Sequence, residues 1–148
     1  MPNRNNNTVL YVSSVIEKRG TLHALLSDPS QHGEKWKLAA ASDVQQAVYM
    51  LQGQQIPLAI SESDVLPGSW RELWQQMSSM PHLPLLIVTS RLADERLWAE
   101  VLNEGGWDVL AQPFDRTEVI RVVESAFRHW RDSRPAAIGA YRTMRVAS

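Results

Sequence analysis

Five short apolar segments recur along the chain and predict the strands of one buried sheet. They are TVLYVS (8–13), WKLAAA (36–41), IPLAIS (56–61), LPLLIVTS (83–90) and WDVLA (107–111). They are rich in valine, leucine and isoleucine, and most lack the alternation of apolar and polar residues that one-sided strands show. Such continuous apolar strands are typical of parallel sheets that are covered on both faces.

Helical patterns occupy the segments between these strands. Three residue pairs match or mimic a capping box, in which the first side chain accepts from a free backbone N–H at a helix start: Ser42 with Gln45, Ser69 with Glu72, and Asp115 with Glu118. Apolar residues then recur at helical spacing, and Gly105 with Gly106 predicts the end of the fourth helix. The fivefold alternation of strand and helix predicts one α/β domain with a doubly wound, five-stranded parallel sheet flanked by five helices.

The two ends of the chain lack this alternation. Residues 1–7, which include the polar run NRNNN, are predicted to be a disordered lead-in, and residues 8–131 to form the domain. Apolar periodicity is lost after Trp130, and both Pro135 and Gly139 follow. Residues 132–148 are therefore predicted to be a C-terminal extension or flexible tail.

Composition and charge narrow the classes of function. The net charge of −1, with 44% apolar and 21% charged residues, gives no general attraction to nucleic acid or to an acidic membrane. The chain has no cysteine, which excludes disulfides and thiol chemistry and favours a cytoplasmic location. The longest apolar runs fall far short of the roughly 20 residues that a membrane helix needs, so no membrane contact is expected.

Motifs of several common enzyme and metal sites are missing. The four histidines (His23, His32, His82 and His129) lack the spacing of metal ligands. No GxSxG, GxGxxG or GKS/GKT motif is present, which argues against hydrolase chemistry and nucleotide binding.

Three local motifs, in their order and spacing, resemble the receiver domain of two-component response regulators. They are VLPG after the third strand, IVTS at the end of the fourth, and GGWDVLAQPFDRTEV from the fourth helix into the fifth, and the resemblance covers roughly residues 8–131. It implies a flavodoxin-like fold. It also implies the family's chemistry, in which an aspartate at the end of the third strand accepts a phosphoryl group. Nearby acids hold Mg²⁺, a lysine pairs with the phosphate, and a Thr or Ser hydroxyl moves to bind it.

Most of the residues at these family positions depart from the pattern. Ser13 and Ser14 stand where the family has acids, and Gln112, before Pro113, stands where it has the lysine. The switch hydroxyl is kept as Thr89, followed by Ser90, whereas Val109 replaces the aromatic switch residue. Gln112 can donate hydrogen bonds but carries no charge.

The residue at the acceptor position depends on the register of SESDVLPG. Counting back from Pro67 gives Ser63, counting back from the following helix gives Glu62, and Asp64 requires a slip in the other direction. Neither preferred position is an aspartate. Serine cannot form an acyl phosphate, and the glutamate side chain is one methylene longer than that of aspartate.

The joint loss of acids, acceptor and lysine predicts a degenerate, pseudo-receiver domain. We expect a stand-alone signalling domain that is not an enzyme, holds no Mg²⁺ and acts by protein–protein contact without phosphorylation. The alternatives are an atypical receiver that is phosphorylated on Glu62 or Asp64 beside Thr89, or a small-molecule enzyme on the same fold. Glu62 itself either mimics a permanently phosphorylated state or is a solvated carboxylate at a strand end.

The expected interaction surface consists of the fourth helix, fifth strand and fifth helix, which receivers use to dimerise or to contact outputs. Its candidate interface residues are Trp98, Trp107, Val109 and Trp130, since aromatic side chains often anchor interfaces. Five arginines run from the last helix into the tail: Arg128, Arg131, Arg134, Arg142 and Arg145. Nucleic-acid binding is disfavoured, because acids elsewhere offset this charge and helix C-termini attract arginine through the helix dipole alone.

Overall fold

The computed structural model describes residues 7–27, 36–65 and 68–147, and within these ranges the side chains other than those of 16 and 133–147. Nearly all of the predicted lead-in, residues 1–6, lies outside the described residues. In chain order the elements are β1 (Thr8–Val12), α1 (Ile16–Leu26), β2 (Lys37–Ala41), α2 (Val44–Gly53), β3 (Leu58–Glu62), β4 (Asp64–Val65), β5 (Gly68–Ser69), α3 (Trp70–Met77), β6 (Leu85–Ser90), α4 (Glu95–Glu104), β7 (Asp108–Ala111) and α5 (Arg116–Ala147).

Five of the strands form one parallel sheet in the order β2-β1-β3-β6-β7. The five predicted strands are therefore confirmed, with the fourth and fifth predicted strands now β6 and β7. The chain passes from β1 to the edge strand β2 and then reverses its direction across the sheet to β3, β6 and β7. This is the doubly wound topology that the alternation of elements predicted.

A short antiparallel hairpin between β3 and α3 was not predicted. It is formed by β4 and β5, with Asp64 opposite Ser69 and Val65 opposite Gly68. The hairpin brings the chain out of the main sheet immediately after Ser63, whose carbonyl accepts from the backbone N–H of Trp70 at 3.2 Å.

The sheet separates two hydrophobic cores, and the alternation of side chains along each strand decides which core a residue joins. On one side Leu10, Ala59 and Leu86 pack beneath α2, α3 and α4. On the other side, which we call the α1/α5 side, Val9, Tyr11, Leu58, Ile60, Ile87 and Leu110 pack against α1 and α5.

The helix ends agree with the sequence at two of four predicted points. The Asp115 carboxylate accepts from the N–H of Glu118 at 2.9 Å, and Gly105 ends α4 with a φ of 106°, as predicted. The Ser42–Gln45 cap is wrong by one residue, because the Asp43 carboxylate accepts from the N–H of Gln46. Ser69 is the residue before α3, but its side chain makes no capping bond.

The fifth helix is longer than its apolar periodicity indicates. Its backbone continues past Arg131, where we expected an extension or flexible tail, and remains helical to Ala147. Glycine lowers helix propensity, and proline inside a helix removes a backbone hydrogen bond, so Pro135 and Gly139 do not explain this continuation. The flexibility of this segment stays a prediction. Within the described residues, no helix combines the length and the apolar character that crossing a membrane requires.

Candidate functional site

Five side chains meet at the carboxyl edge of the sheet on the α1/α5 side. Tyr11 and Ser13 come from β1 and the residue after it, Glu62 ends β3, Thr89 lies opposite Glu62 in β6, and Gln112 follows β7. Each lies two residues beyond a core residue of the same side, or is itself one. The period of two that buries the strands therefore also brings these polar groups together.

Glu62 is the centre of this cluster and is only 7% exposed. Its Oε1 accepts from the Tyr11 hydroxyl at 2.6 Å and more weakly from the Ser13 hydroxyl at 3.5 Å. Its Oε2 accepts from the Gln112 side-chain amide at 2.7 Å. The interpretation of Glu62 as a solvated carboxylate at a strand end is therefore wrong. A buried carboxylate needs such partners because it has lost its water.

Lys18, on the first helix, supplies a positive charge to the same carboxylate. Its Nζ lies 3.4 Å from Glu62 Oε1, and the side chains of Lys18 and Glu62 are 26% and 10% exposed. Arg19, the next residue, donates to the Ser13 carbonyl at 2.9 Å and so ties the start of α1 to the end of β1. We use the name Glu62 cluster for Tyr11, Ser13, Lys18, Glu62, Thr89 and Gln112.

Gln112 connects the acceptor position to the switch hydroxyl. Besides its bond to Glu62, its Nε2 lies 3.2 Å from Thr89 Oγ1. Thr89 is fully buried, so its hydroxyl depends on such internal partners. The peptide bond between Gln112 and Pro113 is cis, in agreement with the resemblance.

Tyr11 acts as a hydrogen-bond donor to Glu62 over the whole ordinary pH range. Burial raises the pKa of the Tyr11 hydroxyl well above its usual 10.0, and the hydrogen bond to Glu62 and the negative charge of Glu62 raise this pKa further. The phenol therefore stays protonated, as its role as a donor to the carboxylate requires.

The structure decides the register of residues 61–64. Glu62, and not Ser63, has its side chain in the cluster, while the Ser63 backbone N–H donates to the Thr89 carbonyl at 2.9 Å. Asp64 is exposed in the β4–β5 hairpin. Ser14 is also exposed, and the Ser90 hydroxyl accepts from the Leu92 backbone N–H at 3.1 Å instead of reaching the cluster.

The donor set does not fit Mg²⁺. That ion requires near-octahedral oxygen ligands and is usually held by more than one carboxylate or by a carboxylate and a phosphate. Within the described residues, no group of three or more acids and histidines could hold a metal ion. The charged group that pairs with Glu62 is the Lys18 ammonium, and its positive charge would repel a metal cation.

A cleft of about 500 Å³ borders the cluster. It is lined by Lys18, Thr21, Arg91, Gln112, Pro113 and Phe114. Neither Glu62 nor Thr89 is among its lining residues.

The candidate interface residues separate into exposed and buried groups. Trp98 on α4 is 51% exposed. Trp107 is half-buried and stacks on His129 with ring centroids 4.5 Å apart. Val109 and Trp130 are largely buried, because their apolar side chains pack within the domain itself. A role for these two residues at an interface stays a prediction.

Sequence reasoning missed Tyr11 and Lys18. A phenol within the apolar run TVLYV is a usable signal, because a buried hydroxyl requires a partner. Lys18 carried no comparable signal, since a lysine in the first turns of a helix is most often an exposed residue.

Comparison with solved structures agrees with this topology. The signal receiver domain of an HD domain-containing protein from Pseudomonas fluorescens Pf-5 is similar, with a TM-score of 0.76 and 24% identity over 91% of this chain and 96% of that one. The receiver domain of the Francisella response regulator 1452 gives a TM-score of 0.73 and 16% identity, covering 84% and 98% of the two chains. The beryllofluoride-activated NtrC4 receiver domain dimer gives 0.72 and 15%, covering 84% and 98%.

Comparison with known sequences, by contrast, gives no match. No family model matches the chain, and no curated protein matches it. The topology, the site at the carboxyl edge and the similar solved structures together show that this chain has the receiver-domain fold of response regulators.

Proposed function

We propose that this chain is a receiver-like domain of phosphorelay-type signalling that works without being phosphorylated and acts through contact with other protein surfaces. The observation that carries the proposal is the engagement of both oxygens of Glu62. Oε1 is bonded to Tyr11 and paired with Lys18, and Oε2 is bonded to Gln112. A nucleophile in phosphoryl transfer needs a free oxygen and a stabilised path for the leaving charge, and this arrangement favours neither.

The same contacts suit a fixed signalling state. The Glu62 carboxylate is linked to the switch hydroxyl of Thr89 through Gln112, by contacts of 2.7 and 3.2 Å. A permanent negative charge at this point takes the place that a phosphoryl group has in the family. On this proposal Thr89 remains in one position because Gln112 bonds to Glu62 and to Thr89 at the same time.

Phosphorylation at a non-standard acid is the competing proposal, and the positions of the acids weaken it. It requires Glu62 and Asp64 to point into one pocket beside Thr89. Asp64 is instead exposed in the hairpin, so of these two acids Glu62 alone lies near Thr89.

The surface for protein contact is proposed on α4, β7 and the start of α5. Trp98 is its exposed aromatic residue, and aromatic side chains at such positions often provide much of the binding energy. One of the similar solved structures is a receiver-domain dimer, so domains of this fold associate through their surfaces.

Incubation with acetyl phosphate and Mg²⁺, followed by intact mass measurement, tests the first part of the proposal. We expect no added phosphoryl group, whereas a receiver domain with an acceptor aspartate, treated in parallel, gains one. A stoichiometric adduct that disappears in the Glu62→Gln variant would overturn the proposal, because it would show that Glu62 retains its reactivity.

A second measurement tests whether the site accepts a phosphoryl analogue. Beryllofluoride with Mg²⁺ imitates the phosphorylated acid in receivers and can be followed by NMR of the backbone amides. We expect the amide signals of Glu62 and Thr89 to be unchanged on addition. Saturable shifts at these residues, with magnesium required, would contradict the proposed independence from phosphorylation.

A further inference from the structure

The charges of the chain are divided between its body and its C-terminal end. Residues 131–148 contain four arginines and one aspartate, a net charge of +3, so the remaining residues carry −4 of the total of −1. A near-neutral total therefore conceals an acidic domain joined to a basic segment. Such an asymmetry indicates that the segment meets a negatively charged surface.

An acidic groove lies at the opposite end of α5. We call it the Trp98 groove; it has a volume of about 220 Å³, and its lining includes Ala93, Asp94, Glu95, Trp98, Val109 and Glu118. It combines three carboxylates with an exposed indole and a small apolar floor. The Asp94 carboxylate also caps α4 by accepting from the Leu97 N–H at 2.9 Å, so Glu95 and Glu118 are the acids proposed to meet a partner. This combination suits a helix that carries arginines beside apolar residues, since arginine both pairs with carboxylates and stacks on aromatic rings.

The C-terminal part of α5 has this pattern at the level of sequence position. Arg134, Ile138, Tyr141, Arg142 and Arg145 are separated by steps of one, three or four residues. On a helical backbone, which α5 keeps to Ala147, positions spaced in this way fall on one face. We call residues 132–147 the extension.

The extension cannot reach the groove of its own domain while α5 stays one helix. The groove lies at the carboxyl edge of the sheet, where α5 begins. The stacking of Trp107 on His129 places the fourth turn of α5 at the opposite, amino edge, beside the start of β7. At 1.5 Å per residue, the helix extends about 25 Å farther from there.

We infer that the occupant of the Trp98 groove is the extension of a second copy of this chain, with the two α5 helices antiparallel. This inference rests on the surface proposed above and names its partner. An antiparallel pair related by a two-fold axis brings the Trp98 groove of each copy beside the basic end of the other copy's α5. Both grooves are then filled at once, as an isologous dimer requires.

Charge complementarity favours a second copy over nucleic acid. A polyanion that approached the extension would also approach a body of net charge −4, which repels it at low ionic strength. A second copy instead provides the carboxylates of the Trp98 groove. A second copy of the chain is also present in every solution of the protein, so no further component is needed.

Charge reversal in the full-length chain tests the inference, with sedimentation velocity as the measurement. We expect a concentration-dependent dimer for the unchanged protein. Arg142→Glu and Glu95→Lys should each weaken it about tenfold, because a two-fold dimer contains every contact twice and each lost pair becomes a repulsion. Lys37→Glu, an exposed reversal on the far edge strand β2, is the matched control and should leave the dimer unchanged.

Mixing the two variants gives the decisive measurement. In a heterodimer of the Arg142→Glu and Glu95→Lys proteins, one contact is native and the other has both charges exchanged. The mixture should therefore associate more tightly than either variant alone. Far-UV circular dichroism of each variant checks that the helices are retained.

Three results would overturn the inference. A protein that stays monomeric at all concentrations lacks the dimer, and duplex DNA binding without self-association assigns the extension to another partner. A dimer that is lost with Trp98→Ala but unchanged by both charge reversals would keep the proposed surface and remove the extension from it. Phosphorylation-independence is measured separately and is unaffected by any of these outcomes.

Discussion

Lys18→Met removes the ammonium group that pairs with Glu62 while keeping most of the aliphatic stem of the side chain. The structure places the two charges 3.4 Å apart, with side-chain exposures of 26% for Lys18 and 10% for Glu62. The pair is thus neither a free surface ion pair nor a fully buried one. We expect its loss to destabilise the folded protein, since the Glu62 carboxylate remains where it is without a counter-charge.

The magnitude follows from the distance and the exposure. At an effective dielectric constant of about 20, unit charges 3.4 Å apart attract each other by about 5 kcal/mol. Screening through the exposed part of Lys18, the ordering of its side chain and desolvation reduce this value. A fully exposed pair contributes less than about 1 kcal/mol, whereas breaking a buried pair costs about 3–5 kcal/mol. We therefore expect a loss of about 2 kcal/mol in the free energy of unfolding.

Urea unfolding of a double-mutant cycle measures this coupling. In the Glu62→Gln background the carboxamide is neutral, so Lys18→Met should cost about 0.5 kcal/mol or less. Lys18→Arg is the matched control, because it keeps the positive charge at the same position. Its effect should be smaller than that of Lys18→Met.

Equal costs of Lys18→Met in the two backgrounds would refute the reasoning. The effect of the substitution would then come from the helix or from packing, and not from the charge on Glu62. The Glu62 cluster would have to be stable without its cation, and a metal ion could no longer be excluded on the ground of repulsion by Lys18.

Two further predictions concern Tyr11 and Gly105. Since the folded structure raises the pKa of Tyr11 above 10.0, its stabilising contribution is complete below pH 10 and is lost as the pH rises above that value. Over that range wild type should lose about 1.4 kcal/mol per pH unit more than Tyr11→Phe, and parallel pH curves for the two proteins would contradict this. Gly105→Ala should cost about 1–2 kcal/mol, because Gly105 has a φ of 106° and its added Cβ would lie 2.9 Å from Trp74. Gly53→Ala, which meets no atom within 4 Å, should be neutral or stabilising, and equal losses in thermal unfolding would argue against the backbone cause.

The order of elements could be predicted because each strand and helix carries its own local signal. The apolar runs ending at Val12, Ile60 and Val88 are continuous, and a strand covered on both faces needs such continuity. The exact residues at which helices begin and end were predicted less accurately. Asp43 and Ser42 are adjacent and both can cap a helix, so the one-residue error at α2 reflects a choice that only the surrounding chain makes.

The identities of several polar residues of the candidate site could be predicted from the sequence, but the contacts between them could not. The replacements at Ser13 and Gln112 were visible in the sequence, whereas the partners of Glu62 were not. Tyr11 lies 51 residues from Glu62 along the chain, and their atoms meet at 2.6 Å. Local patterns contain no information about such a distance.

The sequence by itself determined the parallel α/β fold and the replacement of the family's charged residues, since both follow from residue type and spacing along the chain. Only the tertiary structure decided that Glu62, rather than Ser63 or Asp64, occupies the site, and that Trp130 is buried while Trp98 is exposed. The reason is that a shift of one residue reverses the face of a strand, and burial depends on which helix covers that face. Both are properties of the assembled sheet and its helices.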